Sequence, residues 1–208
     1  MKTTAARIFT VASRVVSIVL HPFMLPTYML AVMLWGDTAY ALYPPRFKFY
    51  LSWVVALYTL AIPALAVALL KTTGRIESWH VDSRRDRVLP LVIGTLCYIA
   101  CAATVGRIAS AEIVRRIMLA GACCEMVCLA VNYHWKISLH MTAIGGCTAV
   151  LTVLCVVTGS LTGTLAAAVV AAGVLASARL WLGKHNPQQT AVGFCTGFVV
   201  TAAALIFL

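Results

Sequence analysis

The chain has 208 residues, of which 62% are hydrophobic and only 11% are charged, and its mean hydropathy is +0.95. A soluble domain carries about 25% charged residues, so the composition excludes an ordinary soluble protein. The formal net charge is +10, but the basic residues are scattered between apolar stretches, which argues against nucleic acid as a partner. The composition predicts an integral membrane protein surrounded by membrane lipids.

Seven apolar stretches have the length that a helix needs to cross roughly 30 Å of hydrocarbon. They cover residues 11–35, 49–70, 89–106, 113–131, 141–158, 162–178 and 190–208. The first contains His21, Pro22 and Pro26, which predict either a kink or an interfacial segment ahead of the span, so six spans is the alternative count. The predicted fold is all-α, a single polytopic transmembrane helix bundle over residues 1–208.

Alternating spans distribute the connecting segments over two faces, and most polar residues fall at one of them. That face receives the N-terminus and residues 71–88, 132–140 and 179–189, which we expect to assemble one site. It carries eleven Lys or Arg residues against five at the other face. Six of the eleven belong to the expected site, so the remaining charges are balanced and the positive-inside rule does not decide the orientation.

Several residues inside the spans have a structural interpretation. The eight cysteines are read as small buried hydrophobic residues, and the cluster of Cys123, Cys124 and Cys128 matches no zinc template, so no metal or other cofactor is expected. For Glu125, a structural role bonded to a neighbouring helix is favoured over a functional one. Glycines are predicted to allow close helix packing at Gly145, Gly146, Gly163, Gly173 and Gly193.

Two polar segments at the predicted site face carry a histidine at the mouth of a span. The first is Lys136-Ile-Ser-Leu-His140, whose Lys and His are also typical of interfacial anchors. The second runs from Arg179 through His185 to Gln189. A helix that begins near Pro187 would place His185 beside free backbone amides, which bind phosphate readily.

In that second segment, Gln189 lies one turn beyond His185 and is placed to accept a hydrogen bond from one ring nitrogen. The other nitrogen would then be available as a nucleophile. A polar turn between two helices is the alternative interpretation. His134 is interpreted as an interfacial anchor, and no role is assigned to His21 or His80.

The two segments together resemble the second and third signature motifs of the type 2 phosphatidic acid phosphatase superfamily. In that family a Ser-x-His motif precedes, by about forty-five residues, an Arg followed six residues later by His and four residues after that by Asp. Here Ser138 and His140 precede Arg179 and His185, and the two histidines are 45 positions apart. Gln189 stands where the family has Asp.

The resemblance covers roughly residues 82–193 and includes a loose form of the family's first motif, which is a Lys, six intervening residues and then Arg-Pro. The strict template places Asp82 at the Lys and Leu89 at the Arg, so only the final Pro90 agrees. A basic juxtamembrane anchor is the alternative interpretation. The cations that this stretch offers for phosphate binding are Arg84, Arg85 and Arg87.

The resemblance implies a metal-independent phosphatase without a cofactor, acting on a lipid phosphate such as phosphatidic acid, phosphatidylglycerophosphate or a polyprenyl diphosphate. His185 would attack phosphorus to give a phosphohistidine, His140 would protonate the leaving oxygen, and Gln189 would orient His185. The implied phosphate-binding residues are Arg179, Ser138, Lys136, Arg84, Arg85 and Arg87.

Bacterial members of the family act at the outer face of the inner membrane, which implies a periplasmic site. A non-catalytic binder of lipid phosphate that retains the fold and a transporter with a polar vestibule are the alternative functions. The sequence selects neither a particular lipid nor an oligomeric state.

Overall fold

A computed structural model describes residues 4–77 and 83–208 of the chain. Its helices are α1 Thr4–Val19, α2 Leu25–Trp35, α3 Pro45–Ala56, α4 Ile62–Thr72, α5 Val88–Val105, α6 Glu112–Asn132, α7 Leu139–Thr158, α8 Thr162–Trp181 and α9 Pro187–Phe207. A π-helical turn, Leu57–Ala61, joins α3 and α4 into one helix, and short 3₁₀ turns occupy Ala39–Leu42 and Ala109–Ala111. These two ranges contain no strand, which confirms the predicted all-α class for them.

Five helices of the described ranges are long and apolar enough to cross a membrane, as expected of an integral membrane protein. They are Pro45–Thr72, Val88–Val105, Leu139–Thr158, Thr162–Trp181 and Pro187–Phe207. Helix α6 has 21 residues but includes Glu112, Arg115, Arg116 and Glu125, which lower its hydropathy. The predicted count of six spans therefore requires that α6 also crosses, and the count of seven requires that the α1–α2 segment crosses as well.

The first predicted span is broken between α1 and α2, at the histidine and prolines that suggested a kink. Helix α1 has 16 residues and α2 has 11, so neither piece alone reaches across roughly 30 Å. Helix α1 packs against α8 with Ser13 and Ser17 buried, whereas its Phe9 and Ile18 are exposed. Its apolar side therefore faces away from the protein, as expected of a helix that contacts lipid.

Helix α7 is the centre of the bundle and packs along α9, with α2, α6 and α8 also against it. A methyl group on Gly145 would overlap the carbonyl of Phe194, and one on Gly197 would overlap the carbonyl of Thr142. These glycines let the two backbones approach closely. Gly146 and Gly193 are also tightly surrounded, as predicted.

The packing prediction is wrong for Gly163 and Gly173. A methyl group at either position would meet open space, because both residues lie on a side of α8 that no other described element covers.

Glu125 is enclosed between α5 and α6, where Gly94 leaves room for its carboxyl group. The Thr95 hydroxyl donates to the carbonyl of Leu91, and Oε2 of Glu125 has no hydrogen-bond partner in the described ranges. The predicted bond to a neighbouring helix therefore stays a prediction. All eight cysteines are free thiols. Four of them are buried. Cys195 is exposed on the outside of α9, so the prediction that it is buried is wrong. Within the described ranges, no three His, Cys, Asp or Glu side chains are grouped closely enough to bind a metal ion.

Candidate active site

The three segments predicted to share a site contact one another at one end of the bundle. The segment before α5 reaches the α6–α7 connection, because Arg84 donates hydrogen bonds to the carbonyls of Tyr133 and His134 at 3.2 and 2.7 Å. Asn132 returns a hydrogen bond of 2.8 Å to the carbonyl of Arg84. Arg87 donates one of 2.9 Å to the carbonyl of Ile137.

The α6–α7 connection in turn contacts the start of α9, because the backbone N–H of Ser138 donates to the carbonyl of Gln189 at 3.4 Å. Helices α7 and α9 therefore begin side by side, with His140 and His185 close to their N-terminal ends. Unpaired backbone N–H groups and the helix dipole make such ends favourable to anions.

The local sequence around His185 fixes which ring nitrogen is available. Helix α9 begins at Pro187, as predicted, and Asn186 caps it by accepting a hydrogen bond from the N–H of Gln189 at 2.8 Å. The Oε1 atom of Gln189 accepts from the N–H of Asn186 at 3.2 Å, which identifies it as the amide oxygen. The same oxygen lies 3.1 Å from Nδ1 of His185, so Nδ1 carries the proton and Nε2 is left bare.

His185 is buried, and its environment disfavours the charged ring. Burial lowers its pKa from 6.5 to about 4, and the cations Arg87, Arg179 and Lys136 add to this effect, while the hydrogen bond to Gln189 opposes it. The ring is therefore neutral at physiological pH, and Nε2 carries a lone pair available for attack.

His140 is held by the N-terminal helix. Its Nε2 lies 3.1 Å from the carbonyl oxygen of Ser17 in α1, and because a carbonyl only accepts, Nε2 is the donor. In the neutral ring the remaining nitrogen, Nδ1, is then an unprotonated acceptor.

A cavity of about 820 Å³ opens between these elements and extends into the bundle. Its polar end is lined by Arg14, His21, Arg87, His140, Arg179, Lys184 and His185. Its deeper part is mostly apolar and is lined by residues that include Leu25, Met29, Leu91, Ile117, Met118 and Val150. A cavity with a cationic end and a long apolar part is shaped for an amphipathic anion.

The structure separates the predicted phosphate-binding residues into two groups. Arg179 and the buried Arg87 line the cavity, whereas Arg84 and Arg85 are exposed and do not. Ser138 is fully buried, with a hydroxyl that has no hydrogen-bond partner among the described residues. Lys136 lies near enough to His185 to act on its pKa but does not line the cavity. Asp82 and His80 lie outside the described residues.

Three contributors to this site were not anticipated, and all come from α1 or the break that follows it: Arg14, the carbonyl of Ser17, and His21. A sequence signal existed in α1, where Ser13 and Ser17, one helical turn apart, and Arg14 interrupt an apolar stretch. Such spacing places both serines on one face of the helix. That face packs inward, and it brings Arg14 and His21 to the cavity.

No model of a known protein family, no curated protein and no solved structure matches the chain. The function must therefore be inferred from the geometry of the site and from the motifs that it brings together.

Proposed function

We propose that the chain is a membrane phosphatase that removes phosphate from a lipid phosphate or diphosphate through a phosphohistidine intermediate. The observation that supports this most directly is the cavity shared by His185, His140 and Arg179, residues separated in sequence by up to 45 positions. They are the residues that the resemblance to the type 2 phosphatidic acid phosphatases selects as nucleophile, acid and phosphate ligand.

The polar end of the cavity is suited to a phosphoryl group. Four cationic side chains line it, Arg14, Arg87, Arg179 and Lys184, and Glu125 is the only acidic residue of the described ranges that lines the cavity at all. A guanidinium group binds two phosphate oxygens at once through parallel N–H donors. Arg87 and Arg179 are both close enough to His185 for their charges to lower its pKa.

The rest of the cavity is suited to a hydrocarbon chain. Along α6 the residues that line it run from Cys128 inward to Ile117. These two residues are eleven positions apart. At a rise of about 1.5 Å per residue this corresponds to roughly 16 Å. A chain of that length distinguishes a lipid phosphate from a small soluble ester.

The first chemical step is an in-line displacement at phosphorus. A phosphate monoanion that enters the cavity gives its proton to Nδ1 of His140. The Nε2 lone pair of His185 then forms the N–P bond as the bond from phosphorus to the lipid oxygen breaks, and His140 delivers the Nδ1 proton to that oxygen. The products of this step are the lipid alcohol, or the lipid monophosphate when a diphosphate is cleaved, and phosphohistidine at position 185.

The second step regenerates the protein. His140, now neutral, accepts a proton from water as the water oxygen attacks phosphorus, and the N–P bond breaks to release inorganic phosphate. Arg87 and Arg179 remain on the equatorial oxygens throughout, where negative charge must be stabilised in both steps. Gln189 keeps the proton on Nδ1, so that Nε2 is the nucleophile in every cycle.

The site is proposed to lie at one membrane face, in the inner membrane of a bacterium and on its periplasmic side. The placement at one face is supported by the contacts that gather residues 83–87, 132–140 and 185–189 at one end of the bundle. The bacterial membrane and the periplasmic side follow from the resemblance alone.

The test is release of inorganic phosphate from phosphatidic acid, phosphatidylglycerophosphate and a polyprenyl diphosphate by the detergent-solubilised full chain without added metal. Release by the wild type that is abolished in His185→Ala is the expected result, because the substitution removes the attacking atom and leaves the cations. His134→Ala is the matched control, since this exposed histidine lies at the same end of the bundle and its described hydrogen bonds are made by backbone atoms alone.

The other outcomes identify the alternative functions. Lipid phosphate that binds but is never cleaved would indicate a binder, which the amide at position 189 in place of a carboxylate would help to explain. Movement of a labelled lipid phosphate across reconstituted liposomes without phosphate release would indicate a transporter.

A further inference from the structure

The break between α1 and α2 brings a third histidine, His21, to the polar end of the cavity. The backbone N–H of Phe23 donates a hydrogen bond to Nδ1 of His21 at 3.3 Å. Because an N–H group can only donate, Nδ1 is the unprotonated nitrogen, and the neutral ring carries its proton on Nε2. The turn that ends α1 therefore fixes the tautomer of this ring.

The ring of His21 stands directly beside His140. The ring centroids are 5.3 Å apart and the planes meet at 81°, an edge-to-face arrangement. Arg179 is close enough to influence the charge of both rings. His21 thus shares the end of the cavity where the phosphoryl group is proposed to bind.

The Nε2–H group of His21 makes no hydrogen bond to any residue in the described ranges, although Nδ1 is paired and the ring packs edge-on against Phe23 with centroids 4.7 Å apart. A purely structural role in the turn explains Nδ1 and the Phe23 contact but leaves Nε2–H without an acceptor. A polar group at a cavity that lacks a protein partner is satisfied by water or by a ligand atom.

We propose that His21 binds the phosphoryl group of the lipid, with its Nε2–H donating a hydrogen bond to a non-bridging phosphate oxygen. This inference rests on the proposed function, because it takes a lipid phosphate as the occupant of the cavity. His21 would thereby hold the phosphoryl group beside His140, whose Nδ1 must reach the leaving oxygen.

The surroundings of His21 keep its ring uncharged, so it is a neutral hydrogen-bond donor and not another cation. Burial and, to a lesser degree, the charge of Arg179 together lower the pKa of His21 to about 4. Above about pH 5 the ring is uncharged, so it adds a directed hydrogen bond without a further positive charge beside Arg179.

Two substitutions separate the roles of the two ring nitrogens. In His21→Asn the side-chain oxygen replaces Nδ1 as the acceptor for the Phe23 N–H, but no donor reaches the position of Nε2. In His21→Gln the longer amide places an N–H donor near that position. His134→Asn is the control for the same substitution at an exposed histidine outside the cavity.

The measurement is the Kd of a long-chain alkyl phosphonate, whose C–P bond the proposed chemistry does not break, by calorimetry on the full chain in detergent. A hydrogen bond to a charged group contributes about 1.5–3 kcal/mol, so His21→Asn is expected to weaken binding about 10- to 100-fold. His21→Gln should remain within about threefold of the wild type, and His134→Asn should be unchanged. Wild-type affinity in His21→Asn, or equal losses in Asn and Gln, would overturn the inference.

A second readout needs no variant and so is unaffected by any loss of folding. With ¹⁵N-labelled histidine, the Nε2–H proton resonance of His21 should move downfield when the phosphonate binds to the wild type, and an unmoved resonance would overturn the inference. These experiments test the role of His21 separately from the proposed function. If the wild type binds phosphonate through His21 but releases no phosphate, the proposed phosphatase activity is wrong and the role of His21 stands. If the wild type releases phosphate but His21 does not contact the ligand, only the role of His21 is wrong.

Discussion

The hydrogen bond between His185 and Gln189 determines what His185 can do. The amide oxygen holds the Nδ1 proton, so the ring has one tautomer and presents Nε2 to the cavity. An aspartate at position 189, as in the family that the motifs resemble, would hold the same tautomer but would also stabilise the protonated ring. The amide orients without adding charge, and the pKa of His185 stays at about 4.

The pH profile should therefore respond to Gln189→Asp. The neutral ring of the wild type persists until the pH falls through about 4, so phosphate release should not lose the nucleophile between pH 7 and pH 5. A carboxylate beside the ring raises the pKa of His185, and the acidic limb of kcat/KM should move to higher pH. Gln189→Leu should reduce turnover, because the tautomer is no longer fixed.

Phosphate release measured against pH for the wild type and both variants checks this expectation, with thermal unfolding in the same detergent as the control for folding. If the pH profiles of the wild type and both variants were the same, Gln189 would not influence the nucleophile. A non-catalytic binder of lipid phosphate would then explain the site better than a phosphatase.

Substitution of His140 should depend on the leaving group. A general acid contributes typically about 10²–10⁴-fold when the departing oxygen is a poor anion and much less when it is a good one. His140→Ala should therefore slow release from an alkyl phosphate far more than from a nitrophenyl phosphate, as measured by initial rates. Equal losses for the two substrates would contradict the role of acid.

At the scale of the elements, the contact between α7 and α9 positions both histidines. Gly197→Ala should destabilise the protein by at least about 1–3 kcal/mol, because the added methyl group overlaps the backbone carbonyl of Thr142 and the backbone cannot yield locally. Gly173→Ala, which meets open space on α8, is the matched control and should leave the unfolding temperature unchanged or raised. Thermal unfolding of both variants tests this, and equal stability would show that the two helices are not so closely packed.

Hydropathy alone predicts the bounds of the helices from α3 onward to within a few residues. Each of these helices has a long apolar surface that is unfavourable in water, so it packs against other helices or faces lipid. The break after α1 was also predictable from Pro22, since proline removes a backbone donor from the helix. The contact between His185 and Gln189 followed from the one-turn spacing of a helix that begins at Pro187.

The contributions of α1 were not predictable in the same way. His21 and His140 are 119 positions apart in the sequence, and their rings meet because α1 packs against α8 and α2 packs against α7. The spacing of Arg84, Arg85 and Arg87 in the sequence does not reveal their different contacts. Arg84 donates hydrogen bonds to the Tyr133 and His134 carbonyls, whereas Arg87 lines the cavity. Tertiary packing, not local sequence, decides such assignments.

For the whole molecule, the distribution of charge and the shape of the cavity favour the same ligand. Cations gather at one end of an apolar cavity inside a bundle whose outer surface is also apolar. A lipid phosphate approaching from the membrane would place its head group against Arg87 and Arg179 and its chain among the side chains of α2 and α6. In the proposed mechanism, this placement would hold phosphorus where His185 and His140 both reach it.

The phosphohistidine intermediate is the central claim, and it can be measured directly. The wild type would be mixed with lipid phosphate labelled in the phosphoryl group and quenched in alkali, where phosphohistidine survives, and its peptides would then be analysed by mass spectrometry. The account predicts a phosphoryl group on His185, absent from His185→Ala and retained longer in His140→Ala, which lacks the base for hydrolysis. Wild-type protein that releases phosphate while His185 stays unmodified throughout the turnover would contradict it.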